Sequence, residues 1–74
     1  MFNIFNKKTG GNMQYRIREF RKQKNMTQEE LAEKSGQSRG TIIRLESGKD
    51  IVTTTETLEA IANALGVSLP LLFS

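Results

Sequence analysis

Cysteine, histidine and tryptophan are absent from this chain of 74 residues, and proline occurs once. Without cysteine no disulfide can hold the fold, so a small domain must be stabilised by packing alone, as is common in the cytoplasm. Without histidine and cysteine there are no imidazole bases, no thiolate nucleophiles and none of the commonest transition-metal ligands. The acidic residues Asp50, Glu56 and Glu59 form no recognisable acid/base pair. We therefore expect no enzyme activity and no metal or cofactor.

Long hydrophobic runs are also missing. No apolar stretch approaches the roughly 20 residues that span a membrane, and residues 1–12 lack the continuous apolar segment of a signal peptide. With 36% hydrophobic residues, the chain can bury one modest core and has no room for a second. We therefore expect one small, soluble domain located in the cytoplasm.

Acidic residues are scarce in the first third of the chain. Residues 1–26 contain seven basic side chains and one acidic, a balance of +6, whereas residues 27–74 contain four basic and seven acidic, a balance of −3. Such an asymmetry indicates a polyanionic partner on one face. The alternative is a solvated basic helix with an acidic counterweight, in which Lys22 and Lys24 only improve solubility.

Apolar periodicity and capping residues predict five helices after residue 12 and no strand. The first helix runs to about Lys24 on an apolar stripe at i, i+4 and i+7: Met13, Ile17 and Phe20. The second follows a capping box, in which the side chains of Thr27 and Glu30 bond each other's backbone N–H. Gly36 ends this helix in the left-handed conformation, which glycine adopts without a Cβ penalty.

The remaining three helices follow the same rules. Ser38 caps the third helix, which buries Ile42 and Leu45 and stops at Ser47-Gly48. Thr54 caps the fourth, which ends at Gly66 and has an apolar stripe formed by Leu58, Ile61, Ala62 and Leu65. A short fifth helix has Ser68 as its cap and Pro70 in its tolerant first turn. The residues of this fifth helix expected to pack on the core are Leu69, Leu72 and Phe73.

The stretch from Gln28 to Ser47 has small and apolar residues where two crossing helices need them. Ala32 is small where the helices would come closest, and Gly36 lies at the turn. Ile42 and Leu45 face inward on the following helix. Two short helices joined by so tight a turn must cross at a steep angle, and together these residues predict a helix-turn-helix.

From residue 13 to 73 the sequence resembles the Cro/repressor-type helix-turn-helix family of five-helix, lambda-repressor-like DNA-binding domains. The matching residues are Gln28, Leu31, Ala32, Gly36, Ile42, Leu45, Glu46, Ser47, Gly48, Lys49 and 61–68. The resemblance implies a compact all-α bundle and a small transcriptional regulator, often a repressor and usually dimeric, whose third helix enters the major groove. In that family an arginine late in the first helix often pairs with a glutamate late in the third. By resemblance, Arg21 and Glu46 form this structural ion pair.

Two departures from the family pattern bear on the dimer geometry. The loop after the third helix is about one residue longer than usual, with Val52 where proline is common, and the N-terminal extension is rich in phenylalanine.

The outward face of the third helix, Ser38–Ser47, has residues suited to base recognition. At 100° per residue, Arg39 and Arg44 lie about 140° apart and bracket Gly40 and Ile43. An arginine fork can bond guanine O6 and N7, and an aliphatic side chain can contact a thymine methyl. Gly40 costs the helix about 1 kcal/mol relative to alanine but permits close approach to base edges. We predict base contacts from Arg39, Gly40, Ile43 and Arg44; the alternative is that they are ordinary solvated side chains.

Phosphate contacts are predicted from the polar residues around this helix: Gln28, Ser38, Thr41, Ser47 and Lys49. Gln28 has an amide donor and lies beside backbone N–H groups that favour anions. Thr41 either contacts the DNA backbone or supports the capping turn. Basic residues of the first helix are further candidates if their face reaches the duplex.

Residues 1–12 are interpreted as a flexible N-terminal arm that precedes a DNA-binding domain at 13–74. The tether NKKTGGN is polar and contains glycine, and nothing in it sets a helical period. The alternative is a short strand or helix that docks on a partner. Lys7 and Lys8 are candidates to follow a DNA groove, as homeodomain arms do.

A homodimer is also predicted, because one such domain recognises few bases and two-fold pairing onto half-sites a helical turn apart is the usual remedy. Leu71, Phe2 and Phe5 have no evident place in the core. We therefore expect an interface built around the fourth and fifth helices, supplemented by the N-terminal aromatic residues. The alternative is that these residues close the core of the monomer.

The predicted function is sequence-specific binding of double-stranded DNA, at a two-fold operator, by a transcriptional regulator. The alternative is an antitoxin or protein-interaction adaptor that uses the same fold and derives its binding energy from Phe2, Phe5 and Leu71. Tight binding of a host protein without any retardation of DNA would favour this alternative.

Overall fold

The computed structural model of the chain describes residues 15–48 and 50–73, and the regular secondary structure in this part of the molecule is all helical. Its α-helices are α1 (Ile17–Gln23), α2 (Gln28–Ser35), α3 (Arg39–Ser47) and α4 (Thr55–Leu65), and a 3₁₀-helix (Leu69–Phe73) follows. The described segments contain no strand, as predicted. None of their helices is both long and apolar enough to cross a membrane.

The prediction of five α-helices is wrong in its last element, because the fifth segment is a 3₁₀-helix. It has only five residues and Pro70 among them, and the N–H of Leu71 bonds the carbonyl of Ser68 at 3.1 Å, an i to i+3 contact. Segments this short favour the tighter 3₁₀ turn. In this segment the carbonyl of Leu72 accepts a hydrogen bond from the N–H of Arg16 at 3.0 Å. The bond connects the 3₁₀-helix to the start of α1.

The first helix begins later than its apolar stripe suggested. Tyr15 and Arg16 are not helical, and α1 starts at Ile17, while Met13 lies outside the described residues. The N-cap Arg16 makes no capping hydrogen bond with its side chain. The backbone N–H of Arg16 instead donates to the carbonyl of Leu72, outside the helix, and the helical backbone begins with the next residue.

The predicted caps of the other three helices are confirmed. Thr27 and Glu30 form the capping box, with the Glu30 N–H donating to Thr27 Oγ1 at 3.0 Å and the Thr27 N–H donating to Glu30 Oε1 at 2.8 Å. Ser38 and Thr54 accept in the same way from backbone N–H groups three residues ahead. Each cap supplies a partner for an N–H that the helix itself leaves unbonded, a contribution of about 1 kcal/mol.

The turn between α2 and α3 is as short as the sequence predicted. Gly36 adopts a left-handed φ of 72°, and the N–H of Gln37 bonds back to the carbonyl of Ala32 at 3.0 Å. Gln37 alone then separates this glycine from Ser38. A residue with a Cβ would be strained at Gly36, which explains glycine at this position.

The core lies between the four helices and the 3₁₀-helix. Its buried apolar residues are Ile17, Phe20, Leu31, Ala32, Ile42, Leu45, Leu58, Ile61, Ala62, Leu65 and Leu72. Ile42 and Leu45 are both 0% exposed, so α3 is anchored along one face. Burial of each such side chain stabilises the fold by roughly 1.5–3 kcal/mol.

The expected burial of Phe73 in the core is wrong. Phe73 is 42% exposed and meets Tyr15 edge to face, with ring centroids 5.7 Å apart. Because side chains of a 3₁₀-helix repeat every three residues, Leu69 and Leu72 share one side and pack on the core, and Phe73 points elsewhere.

Candidate nucleic-acid interface

The face of α3 opposite its buried residues lies open to solvent at three of the four predicted base-contacting positions. Arg39 and Gly40 are exposed, and Ile43 is 43% exposed. Ile42 and Leu45 hold the other face in the core, so the direction in which Arg39 and Ile43 point is fixed by the fold. This surface offers a forked cation and an aliphatic side chain at the start of a helix.

Gly40 is not required by the packing of the domain. A Cβ built at this position would meet only Ser38 Oγ, at 3.9 Å, which is an ordinary contact. The described glycines with positive φ are Gly36, Gly48 and Gly66, so Gly40 is not needed for a left-handed turn. Close approach of the backbone to another molecule is one use of glycine that remains open at this position.

Arg44 is turned away from this open surface. Its Nη1 donates to the carbonyls of Asp50 and Val52 at 3.0 and 2.8 Å, and lies 3.4 Å from a carboxylate oxygen of Asp50. The side chain is 35% exposed. For the predicted base contact, Nη1 of Arg44 would have to leave the loop that follows α3. Alternatively, the other two guanidinium nitrogens, Nε and Nη2, would have to bond the base.

A buried polar network fixes the C-terminal end of α3. Arg21 and Glu46 form the ion pair that the family resemblance implied, with Nε 2.7 Å from Oε2 and Nη2 3.1 Å from Oε1. Their side chains are only 11% and 5% exposed. Arg21 also donates to the carbonyl of Met26, and the Gln28 amide donates to Glu46 Oε1 at 3.1 Å. Bidentate geometry with these added bonds locks α1, α2 and α3 together.

A groove beside the start of α2 brings together residues from three helices: Arg18, Arg21, Thr27, Gln28, Glu29 and Arg39. The sequence names the basic residues of the first helix only as a group, and the structure brings Arg18 of that group into this groove. The first N–H groups of α2 also lack intrahelical acceptors. Because Arg21 is paired with Glu46, the cations available to an anion here are Arg18 and Arg39, opposed by Glu29.

The predicted phosphate-contacting residues differ in what their donors already do. Ser38 Oγ accepts from the Thr41 N–H at 3.1 Å and lies 2.9 Å from Thr41 Oγ1, so Thr41 supports the capping turn. The hydroxyl of Ser47 donates to the carbonyl of Arg44 at 2.7 Å, and contact with phosphate would require this proton to be redirected. Lys49 lies outside the described residues, and Gln28 uses one amide hydrogen on Glu46.

A second groove, which runs along α1 from its N-terminal end, has mixed charge. Arg16 donates to both carboxylate oxygens of Glu19 at 2.8 and 2.9 Å, and its guanidinium carbon lies 4.8 Å from the centre of the Phe20 ring. The hydrogen bond from Arg16 lowers the pKa of Glu19, and the same bond raises the pKa of Arg16. Since Arg16 and Glu19 are paired with each other, a phosphate in this groove would depend on Arg18 and Lys22, which also line it.

Apolar side chains are exposed at the C-terminal end of the described chain. Leu71 is 43% exposed, as its predicted role in an interface requires, and Phe73 beside Tyr15 adds to this surface. The other two residues predicted for the dimer interface, Phe2 and Phe5, lie outside the described residues.

The family model named Helix-turn-helix matches residues 17–72 of this chain. An uncharacterized HTH-type transcriptional regulator of Archaeoglobus fulgidus is 62% identical over 37 residues, which are 50% of this chain and 53% of that protein. The matched part thus spans about half the length of this curated relative.

Solved structures with similar folds include two regulatory proteins. The restriction-modification controller protein C.AhdI from Aeromonas hydrophila is 33% identical with a TM-score of 0.73, over 78% of this chain and 86% of that one. SinR, a master regulator for biofilm formation, was solved in complex with DNA; it is 32% identical with a TM-score of 0.74, over 77% of this chain and 90% of that one. With the family match over most of its length, the chain belongs to the Cro/C1-type helix-turn-helix family.

Proposed function

We propose that this chain is a sequence-specific, double-stranded DNA-binding transcriptional regulator that places α3 in the major groove, in the cytoplasm. The observation that supports this most strongly is the division of α3 into two faces. Ile42 and Leu45 are fully buried, while Arg39, Gly40 and Ile43 are open on the other side. SinR, which has a similar fold, was solved in complex with DNA.

The three open residues have complementary roles in this proposal. Arg39 is the candidate for the bidentate contact with guanine O6 and N7, and Ile43 for contact with a thymine methyl. Gly40 lies between them without a side chain, so the helix backbone can approach the base edges. A half-site that contains guanine close to thymine is therefore expected.

Phosphates are proposed to bind on either side of this reading surface. The groove beside α2 offers the guanidinium of Arg18 and the second amide hydrogen of Gln28, next to the N-terminal end of a helix, which favours anions. Ser38, Thr41, Ser47 and Lys49 remain candidates on the other side, with the donors of Thr41 and Ser47 subject to rearrangement. Because each neutralised phosphate releases counterions, affinity should fall steeply as salt is raised.

The operator is proposed to be two-fold and the regulator a homodimer. Leu71 is the residue of the described chain predicted for this interface, and Phe73 extends the same exposed apolar surface. The domain is proposed to comprise residues 13–74, with residues 1–12 as an arm that supplies Phe2 and Phe5 to the partner. No enzymatic activity is proposed.

Selection of bound sites from random double-stranded DNA, at two salt concentrations, tests the proposal directly. The wild-type chain should enrich one motif, and Arg39→Ala should weaken binding to it by about 1–3 kcal/mol and relax the preference at one base pair. Lys34→Ala is the matched control, since Lys34 is exposed on α2 and does not line the groove. Equal losses on selected and random DNA for Arg39→Ala would contradict sequence reading by α3.

A second candidate, an antitoxin or adaptor, is favoured by the exposed apolar surface at Leu71 and Phe73. Such a protein would bind a host partner through this surface whether or not it binds DNA. Substitution of Leu71 would then abolish partner binding, while Arg39→Ala would leave it intact.

A further inference from the structure

The segment that follows α3 is held by hydrogen bonds to three successive backbone carbonyls. Arg44 Nη1 donates to the carbonyls of Asp50 and Val52 at 3.0 and 2.8 Å. Tyr15 donates its hydroxyl to the carbonyl of Ile51 at 2.9 Å. Side chains from two different parts of the chain, Arg44 of α3 and Tyr15 before α1, therefore hold this segment.

The side chain of Val52, at the end of this segment, is 81% exposed, so its apolar packing contributes little to holding the segment in place. The order of the segment depends on polar contacts instead. The Asp50 carboxylate lies 3.4 Å from Arg44 Nη1 and also accepts from the Val52 N–H at 3.3 Å. Arg44 of α3 thus contacts this segment at two carbonyls and a carboxylate.

These contacts restrict base recognition by Arg44, because they occupy Nη1 and leave Nε and Nη2 for any other partner. Both hydrogens of Nη1 are used by the carbonyls of Asp50 and Val52, and transfer of this nitrogen to a base would leave the two carbonyls without that donor. Arg39 lies five residues earlier in α3, and its side chain is exposed. The described hydrogen bonds to the loop are made by Arg44 and not by Arg39. The two arginines that flank the reading surface therefore have different tasks.

We propose that Arg44 is a positioning residue for DNA binding, which holds the Asp50–Val52 segment against α3 so that the loop meets the DNA backbone in a single conformation. In this proposal Arg39 and Ile43 distinguish the bases, and Arg44 makes no sequence-specific contact with them. This inference rests on the proposed function, since it assigns a role within the same DNA-binding surface.

The test compares Arg44→Ala, Asp50→Ala and Arg39→Ala in two measurements on the full chain. Amide hydrogen exchange without DNA reports the order of the loop. The Val52 N–H should exchange about tenfold faster in Arg44→Ala, the factor that corresponds to the loss of one net hydrogen bond. Asp50→Ala should have the same direction of effect, and Arg39→Ala should have none.

Site selection and affinity on selected and random DNA give the second measurement, below the melting temperature of every variant. Arg44→Ala should bind all sequences about tenfold more weakly, yet prefer the same base at every position as the wild type. A purely structural role would leave the affinity of the folded variant unchanged.

Three outcomes would overturn the inference. In the first, Arg44→Ala flattens the preference at one base pair, as expected of Arg39→Ala, which would make Arg44 a base reader and leave the proposed function standing. In the second, neither loop exchange nor affinity changes in Arg44→Ala. In the third, the wild-type chain selects no sequence at all, which would overturn the proposed function together with this inference.

Discussion

Replacement of Gly40 by alanine should stabilise the domain and weaken its binding to DNA. The position has room for a methyl group, because the only atom that a Cβ would meet within 4 Å is Ser38 Oγ, at 3.9 Å. Its backbone is helical and φ is not positive, so alanine introduces no strain. Alanine should therefore remove the entropic penalty of glycine in a helix, about 0.5–1 kcal/mol.

The two effects can be given magnitudes. For a domain of this size, 1 kcal/mol shifts the melting temperature by roughly 4–8 °C, so Gly40→Ala should raise it by about 2–8 °C. On DNA the same methyl lies on the exposed face between Arg39 and Ile43, where base edges would contact the backbone. An extra methyl forced into a close contact costs about 1–3 kcal/mol, which is roughly a 5- to 150-fold increase in Kd.

Thermal unfolding followed by circular dichroism measures the first effect, and fluorescence anisotropy with the selected operator at fixed salt measures the second. Asn63→Ala is the control, because Asn63 is exposed on α4 and the change also improves helix propensity without altering charge. It should raise the melting temperature and leave Kd unchanged. If Gly40→Ala binds the operator as tightly as the wild type, the backbone at this position does not approach the bases and our reasoning about α3 is wrong.

Two further predictions follow from the buried ion pair and the exposed apolar surface. Arg21→Ala leaves the Glu46 carboxylate, 5% exposed, without its cation and should cost about 3–5 kcal/mol in denaturant unfolding, with poor rescue by Arg21→Lys, which cannot form the bidentate pair. A loss below 1 kcal/mol would mean that the pair behaves like a surface one. Leu71→Lys should convert a dimer to monomers in sedimentation velocity at tens of micromolar while the melting profile of the folded monomer persists; a wild type that sediments only as monomer, with and without DNA, would remove the interface.

The helices and their limits followed from local patterns, and the deviations have identifiable physical causes. Thr27, Ser38 and Thr54 were predicted as caps because their side chains bond backbone groups only three residues away. The start of α1 was misplaced because the N–H of Arg16 bonds Leu72, a contact between the two ends of the described chain that no local pattern reveals. The prediction that Phe73 packs on the core is wrong because it rests on the 3.6 residues per turn of an α-helix, whereas the 3₁₀-helix has three residues per turn.

The candidate site was predictable in composition but not in the state of each side chain. Projection of α3 places Arg39 and Arg44 on either side of Gly40 and Ile43, since the projection treats every exposed position alike. The structure distinguishes them, because only Arg44 lies within reach of the carbonyls of Asp50 and Val52. Likewise, the sequence treats the basic residues of the first helix alike, and the fold distinguishes Arg18 by bringing it beside Gln28 and Arg39.

The architecture of α3 separates the residues that make the fold from those that would read DNA. The helix has nine residues and contains a glycine, so it is too short to be stable alone, and its position must come from tertiary contacts. Those contacts are made by Ile42, Leu45 and Glu46, none of which lies on the open face. Arg39 and Ile43 add little to the core, so changing them should leave the melting temperature within a few degrees of the wild type. It follows that the preferred DNA sequence can change while the fold stays the same, because the two depend on different faces of one helix.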